Sequence, residues 1–143
     1  LDGLKEIRVF NNKDQFYGRL EKLTANITAR TSCKVTLHDL SDERALYDSI
    51  ETSDILTNGT SVGMAPNTDA CLIKNTDVFR KELIVSDVIY NPEQTKLLKL
   101  ASEKGCPTFN GLYMLLYQGA AAFKIWTGQD MPVDIIKEKY FTR

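Results

Sequence analysis

Apolar residues along this chain recur in two periods, and the switches between them outline its elements. Glu6–Phe10 ("EIRVF") is a short β-branched and aromatic run that predicts a strand. From Asp14 to Ala29 the period lengthens: Phe16, Leu20, Leu23 and Ile27 share one helical face, with Asp14 placed to cap the first turn. Lys34–Leu40 ("KVTLHDL") alternates and reads as a second strand. Ser41, followed by acidic Asp42 and Glu43 that suit the positive end of a helix dipole, opens a helix ending near Thr52. "DILTN" (Asp54–Asn58) is a third, very short strand, and the stretch holding Gly59, Gly63 and Pro66 is loop. Leu83–Val88 ("LIVSDV") is nearly continuous in apolar character, as in a strand buried on both faces. Pro92 at a first-turn position predicts a helix to about Lys104, closed by Gly105. "PTFN" (Pro107–Asn110) is a short strand, Gly111–Gly128 a long helix, and Val133 to about Tyr140 a final helix.

Strands that alternate with helices imply a parallel sheet with right-handed crossovers. The expected fold is α/β, a doubly wound parallel sheet that binds ligands at the carboxyl ends of its strands. The first residues, "LDG", read as the end of a helix with Gly3 as its C-cap, and the chain does not begin with Met. The expectation is a C-terminal part of a longer protein, truncated before the first βα unit of its sheet. A processed mature protein is the alternative.

Composition narrows the function without naming it. The 143 residues carry 18 basic and 19 acidic side chains, net −1, which gives no electrostatic grip on nucleic acid or an anionic membrane. No apolar run approaches the roughly 20 residues that span a bilayer. Cys33, Cys71 and Cys106 are odd in number and far apart, with no C-x-x-C pair. That argues against a zinc site or a disulfide framework and for small apolar side chains in a reducing cytoplasm.

One stretch invites a hydrolase reading. Gly59, Thr60, Ser61, Val62 and Gly63 spell G-x-S-x-G. A nucleophile elbow needs a helix directly after the serine, then an acid and a histidine further along the chain. Pro66 and polar loop residues follow instead, and the single histidine, His38, lies upstream inside a predicted strand. Ser61 is therefore read as part of a glycine turn past the end of a parallel strand, where backbone and small hydroxyls face a ligand crevice. His38 is read as a solvated or hydrogen-bonded strand residue.

Four segments together carry a family resemblance. They are "VFNNKDQF" (Val9–Phe16), "SDILTNGTSVGM" (Ser53–Met64), "DVIYNPEQTKLL" (Asp87–Leu98) and "GCPTFNGLYMLLYQGAAAFKIWTG" (Gly105–Gly128). They resemble the shikimate and quinate dehydrogenases, and among branches the quinate/shikimate type that can use NAD. The resemblance implies two lobes in the whole protein, with residues 1–143 forming most of a Rossmann-like dinucleotide-binding lobe. It also implies that the G-x-G-x-x-G turn and the catalytic Lys and Asp lie outside this chain, which then holds no catalytic residue. A non-catalytic nucleotide-binding module is the alternative.

The resemblance also implies roles. Asn11, Asn12, Lys13 and Asp14 follow the second Rossmann strand, where the adenosine ribose is read. Asp14 matches the carboxylate of the NAD-using branch, since it accepts from the ribose hydroxyls and repels a 2′-phosphate. Lys13 could tolerate that phosphate, so NAD is favoured and NADP stays open. Ser61 stands where related members carry Lys or another residue near the cofactor, with Asn58, Gly59 and Thr60 as its neighbours. Val88, Ile89, Tyr90 and Asn91 are implied to contact the nicotinamide half, and the Gly111 backbone its carboxamide. Gln118, sharing a helix face with Gly111 and Met114, is implied to bind a ring hydroxyl of shikimate or quinate. No metal is expected. The Gly111–Gly128 helix is apolar nearly all round and is expected to be buried, or, in a part of a longer protein, to leave surface that is exposed or pairs with another copy in a homodimer.

Overall fold

Every strand pair in the computed structural model runs parallel. The structure describes residues 4–12 and 17–141. The chain divides into two units, Leu1–Ser53 and Asp54–Arg143. The expected alternation of strands and helices is present, and its strands form two sheets, one in each unit.

In the first unit β1 (Glu6–Asn11) pairs with β2 (Lys34–Asp39) from Glu6↔Lys34 to Asn11↔Asp39. The register places Phe10 beside His38, and their rings stack at 4.8 Å. His38 Nε2 lies 3.0 Å from Thr36 Oγ1, so the histidine is the hydrogen-bonded strand residue its position suggested. Helix α1 (Tyr17–Arg30) turns Leu20, Thr24 and Ile27 inward and leaves Leu23 exposed, because positions four and seven apart track one face more closely than Leu23 does. Gly3, Asp14 and Phe16, expected to end one helix and to cap and line the next, lie outside the described residues. Helix α2 (Glu43–Glu51) is capped by Asp42, whose carboxylate accepts from the Ala45 N–H at 3.0 Å. Ser41, expected to open it, instead donates to Asp39. Arg8 ties strand to helix: its guanidinium donates to the Ser49 carbonyl at 3.2 Å and to the Thr52 hydroxyl at 2.6 Å. Arg8 and Lys34 both pair with Glu6, and hydrogen bonds from these cations hold the Glu6 carboxyl below its usual value.

The second unit is built on three strands in the order β3 (Ile55–Asn58), β4 (Ile84–Asp87), β5 (Thr108–Phe109). The central strand is its driest part: Leu83 and Val85 are fully buried, with Leu97, Leu98 and Ala101 of helix α3 (Lys96–Glu103) in the same core. A 3-10 turn, Thr76–Val78, buries Val78 beside Phe79. Helix α3 starts later than Pro92. The chain bends through residues 91–94 to Thr95, whose hydroxyl accepts from the Leu98 N–H at 3.4 Å. A threonine oxygen can satisfy an orphan N–H of the first turn, which a proline ring cannot, so the cap sets the boundary.

Helices α4 (Leu112–Thr127) and α5 (Val133–Tyr140) complete the unit. Tyr113 meets Phe141 at 5.6 Å, and the Lys137 ammonium donates to the Tyr117 hydroxyl at 2.7 Å. Of α4 only Leu116 is buried, while Ile125 and Trp126 are 81% and 83% exposed. Burial on all sides is thus not seen within this chain, and part of the helix's apolar surface is exposed, as the alternative expectation has it. One short helix covers one strip, and the other apolar rows have no second partner among the described residues.

Helix α4 is seated by its first glycine. The Gly111 N–H donates to the Ile89 carbonyl at 3.0 Å, and a Cβ at Gly111 would stand 1.9 Å from the Val88 carbonyl oxygen. The Gly111 backbone is ordinary, with φ −76, so space rather than torsion demands glycine here. Gly111→Ala is expected to destabilise the second unit by about 2–3 kcal/mol, the cost of forcing atoms into a filled site. A urea titration followed by far-UV circular dichroism measures it.

Candidate functional site

Strands β3 and β4 end together. The Val88 N–H donates to the Asn58 carbonyl at 3.0 Å, which brings the Gly59–Gly63 turn beside Val88–Asn91. This is the edge where a parallel α/β sheet offers its ligand crevice. Val88 is half-buried and Ile89 buried, while Tyr90 and Asn91 are exposed. Ser61 is exposed, and its carbonyl accepts from the Met64 N–H at 3.1 Å in a turn. No helix follows Ser61, and residues 54–143 contain no histidine, so the elbow geometry is absent.

The two glycines of the turn differ. A Cβ at Gly59 would meet nothing within 4 Å, so that side of the turn is open. Gly63 has φ +96, and a Cβ there would press on the Ala70 carbonyl oxygen at 3.3 Å and on Thr95 at 3.5 Å.

Under the turn lies a polar group that the sequence reading left without a role. Asp87 is 2% exposed, and its carboxylate accepts from three donors. The Asn58 amide donates to both oxygens at 3.2 Å, the Ile89 N–H to Oδ1 at 3.0 Å, and the Thr95 hydroxyl to Oδ2 at 2.8 Å. Asn58 continues outward. Its Oδ1 accepts from the Thr60 N–H at 3.0 Å and the Thr60 hydroxyl at 2.7 Å, and its Nδ2 donates to the Val62 carbonyl at 3.2 Å. The Thr60 hydroxyl oxygen in turn accepts from the Val62 N–H at 3.1 Å. The signal was in the sequence: a carboxylate in an otherwise apolar strand has to be buried, and a buried carboxylate needs donors.

Gly111 is buried with its N–H committed to Ile89, and its carbonyl, which accepts the helical Leu115 N–H at 2.9 Å, keeps a second lone pair. Gln118 is exposed on α4, in the same row as Met114. In the first unit Asn11 is the last residue of β1, its carbonyl held by the Leu40 N–H at 3.0 Å, and Asn12 is exposed. Lys13 and Asp14 lie outside the described residues. Among the described residues no three His, Cys, Asp or Glu side chains gather as metal ligands, and no helix is long and apolar enough to cross a membrane.

The thiols are poorly suited to nucleophilic chemistry. Cys33 and Cys106 are buried and Cys71 is half-buried. Burial pushes the Cys71 and Cys106 thiols above their ordinary value.

Residues 111–139 match the family described as Shikimate 5'-dehydrogenase C-terminal domain. The whole chain is similar to Shikimate dehydrogenase (NADP(+)) of Listeria monocytogenes serotype 4b (strain F2365), 52% identical over 141 residues, 99% of this chain and 48% of that protein. Its fold is similar to the crystal structure of shikimate 5-dehydrogenase from Listeria monocytogenes in complex with shikimate and NAD. The TM-score there is 0.88 at 52% identity, over 96% of this chain and 47% of that one. Quinate dehydrogenase from Corynebacterium glutamicum in complex with NAD gives a TM-score of 0.78 at 28% identity, over 97% of this chain and 47% of that one. The chain spans about half the length of the curated relatives it matches.

In the folded protein Cys71 and Cys106 are expected to react with iodoacetamide at pH 7 at least about tenfold more slowly than in the urea-unfolded chain, since the thiolate is the reactive form. Mass spectrometry of time-quenched samples measures this.

Proposed function

We propose that the whole protein is an NAD(P)-dependent shikimate or quinate dehydrogenase, with this chain as the C-terminal part of a member of the shikimate dehydrogenase family. Residues 1–143 then form a partial dinucleotide-binding domain. The observation that carries the reading is the carboxyl edge of β3 and β4, where the open side of the Gly59–Gly63 turn lies beside Val88–Asn91. Small residues without bulk at Gly59, and a half-buried apolar step at Val88 and Ile89, fit a flat dinucleotide laid across strand ends.

The dinucleotide supplies the hydride, transferred reversibly between the nicotinamide C4 and the ring carbon bearing a hydroxyl or ketone. This chain's own residues bind and orient. Asp14, with Asn11, Asn12 and Lys13, reads the adenosine ribose. Ser61 lies along the dinucleotide, Val88, Ile89, Tyr90 and Asn91 line the nicotinamide half and exclude water from it, and the free lone pair of the Gly111 carbonyl takes the carboxamide. Gln118 donates to and accepts from ring hydroxyls of the substrate. The proton is handled by a Lys and an Asp outside residues 1–143, so the isolated chain is expected to turn over neither shikimate nor quinate.

NAD is favoured over NADP because a carboxylate at Asp14 repels a 2′-phosphate. In the full-length protein Asp14→Ala is expected to lower the NAD-over-NADP ratio of kcat/KM about tenfold, roughly 1.4 kcal/mol of discrimination. Steady-state rates with both cofactors and both substrates measure it. An unchanged ratio would remove Asp14 from the ribose site, and absence of activity with every pair would overturn the reading.

A further inference from the structure

Hydrogen-bond direction, followed outward from Asp87, has a consequence for the proposed site. An ionised carboxylate only accepts, so every group facing it must donate. Asn58 therefore has to turn its NH2 toward Asp87, and its Oδ1 is left facing Thr60. Thr60 spends both its N–H and its hydroxyl proton on that oxygen, so its hydroxyl lone pair faces the Val62 N–H. The second Asn58 amide proton takes the Val62 carbonyl. Each link is directional, and the direction is set at Asp87. The same carboxylate fixes the chain after β4 through the Ile89 N–H, and through Thr95 it holds the residue on which Gly63 packs.

We propose that Asp87 is a positioning residue that sets, through Asn58, the shape of the Gly59–Val62 turn and, through its own contact with Ile89, the path of Val88–Tyr90, and so governs dinucleotide affinity. Asp87 and Asn58 are themselves buried and act only through the backbone they hold. The inference rests on the proposed placement of the dinucleotide at this edge.

Asparagine at position 87 keeps the shape and adds an NH2. That NH2 faces the Asn58 NH2 in either orientation, and it takes the acceptor from either the Ile89 N–H or the Thr95 hydroxyl. Both outcomes break the directional chain. In the full-length protein Asp87→Asn is expected to raise the Kd for NADH and for NADPH about tenfold, the equivalent of one charge-assisted hydrogen bond. The KM for shikimate and the kcat at saturating dinucleotide stay within about threefold.

Fluorescence titration of NADH and NADPH, with thermal melts of each variant, reads the result. If the wild-type protein binds neither dinucleotide, the proposed function itself falls. If wild type binds and Asp87→Asn binds equally well, the positioning role falls and the proposed function stands. A loss spread equally over dinucleotide Kd, shikimate KM and kcat also overturns the positioning role. If Asp87→Asn does not fold, Asn58→Ala decides, since it leaves the carboxylate in place and cuts the relay. A tenfold rise in dinucleotide Kd supports the proposal, and no change refutes it.

Discussion

A carboxylate buried at the end of the central strand constrains the second unit more than any other group. Desolvating an ionised side chain costs several kcal/mol unless its oxygens are satisfied. Asp87 can reach few donors, and those it reaches come from three segments: the end of β3, the turn after β4 and the residue before α3. The end of β3 is 29 residues away in sequence, and all three segments have to converge for Asp87 to be tolerated. The late start of α3 is one result. Thr95 gives its proton to Asp87 and is left with an oxygen for the Leu98 N–H, so one hydroxyl serves the buried charge and the helix cap.

Two glycines bring the backbone close around that point. Gly63 lies against Thr95 at a positive φ, and Gly111 lies against the Val88 carbonyl at an ordinary one. The two positions need glycine for different reasons, conformation and clearance, and both bring a loop or a helix end down onto the carboxyl edge of the sheet. The polar network and the glycine contacts are complementary: one supplies direction, the other proximity. The edge they build is narrow and largely backbone, as suits a flat ligand recognised by shape and a few polar contacts.

Most elements were legible because they rest on local patterns. The β-branched runs of β1 and β4, the alternation of β2 and the Gly111–Gly128 helix follow from periodicity alone. Boundaries that depend on a specific hydrogen bond were not. Asp42 rather than Ser41 caps α2, and Thr95 rather than Pro92 precedes α3, because the competing residue found another partner or offered no acceptor. At the site, the turn past β3 was visible from its glycines, and Val88 and Ile89 from the strand they end. The roles of Asp87 and Thr95 were not, since a buried polar network is a property of three segments together and leaves only one trace in any of them, an acid inside an apolar run. Lys13 and Asp14, proposed to set the cofactor preference, lie outside the described residues.

The G-x-S-x-G pattern shows why spacing alone misleads. In a nucleophile elbow the two glycines clear space around a strained serine, and the helix that follows directs its N–H groups at an oxyanion. Here the same spacing serves a turn. Gly59 faces open space, Gly63 packs inward, and the hydroxyl with a defined structural task belongs to Thr60, which bridges Asn58 and Val62. Ser61 stands at the exposed crest, its carbonyl closing the turn through Met64. What makes a serine a nucleophile is a base and an oxyanion site within reach, and residues 54–143 provide no histidine for the first and no following helix for the second. The turn is shaped from below, by the buried carboxylate, and its upper side is left to whatever lies across the strand ends.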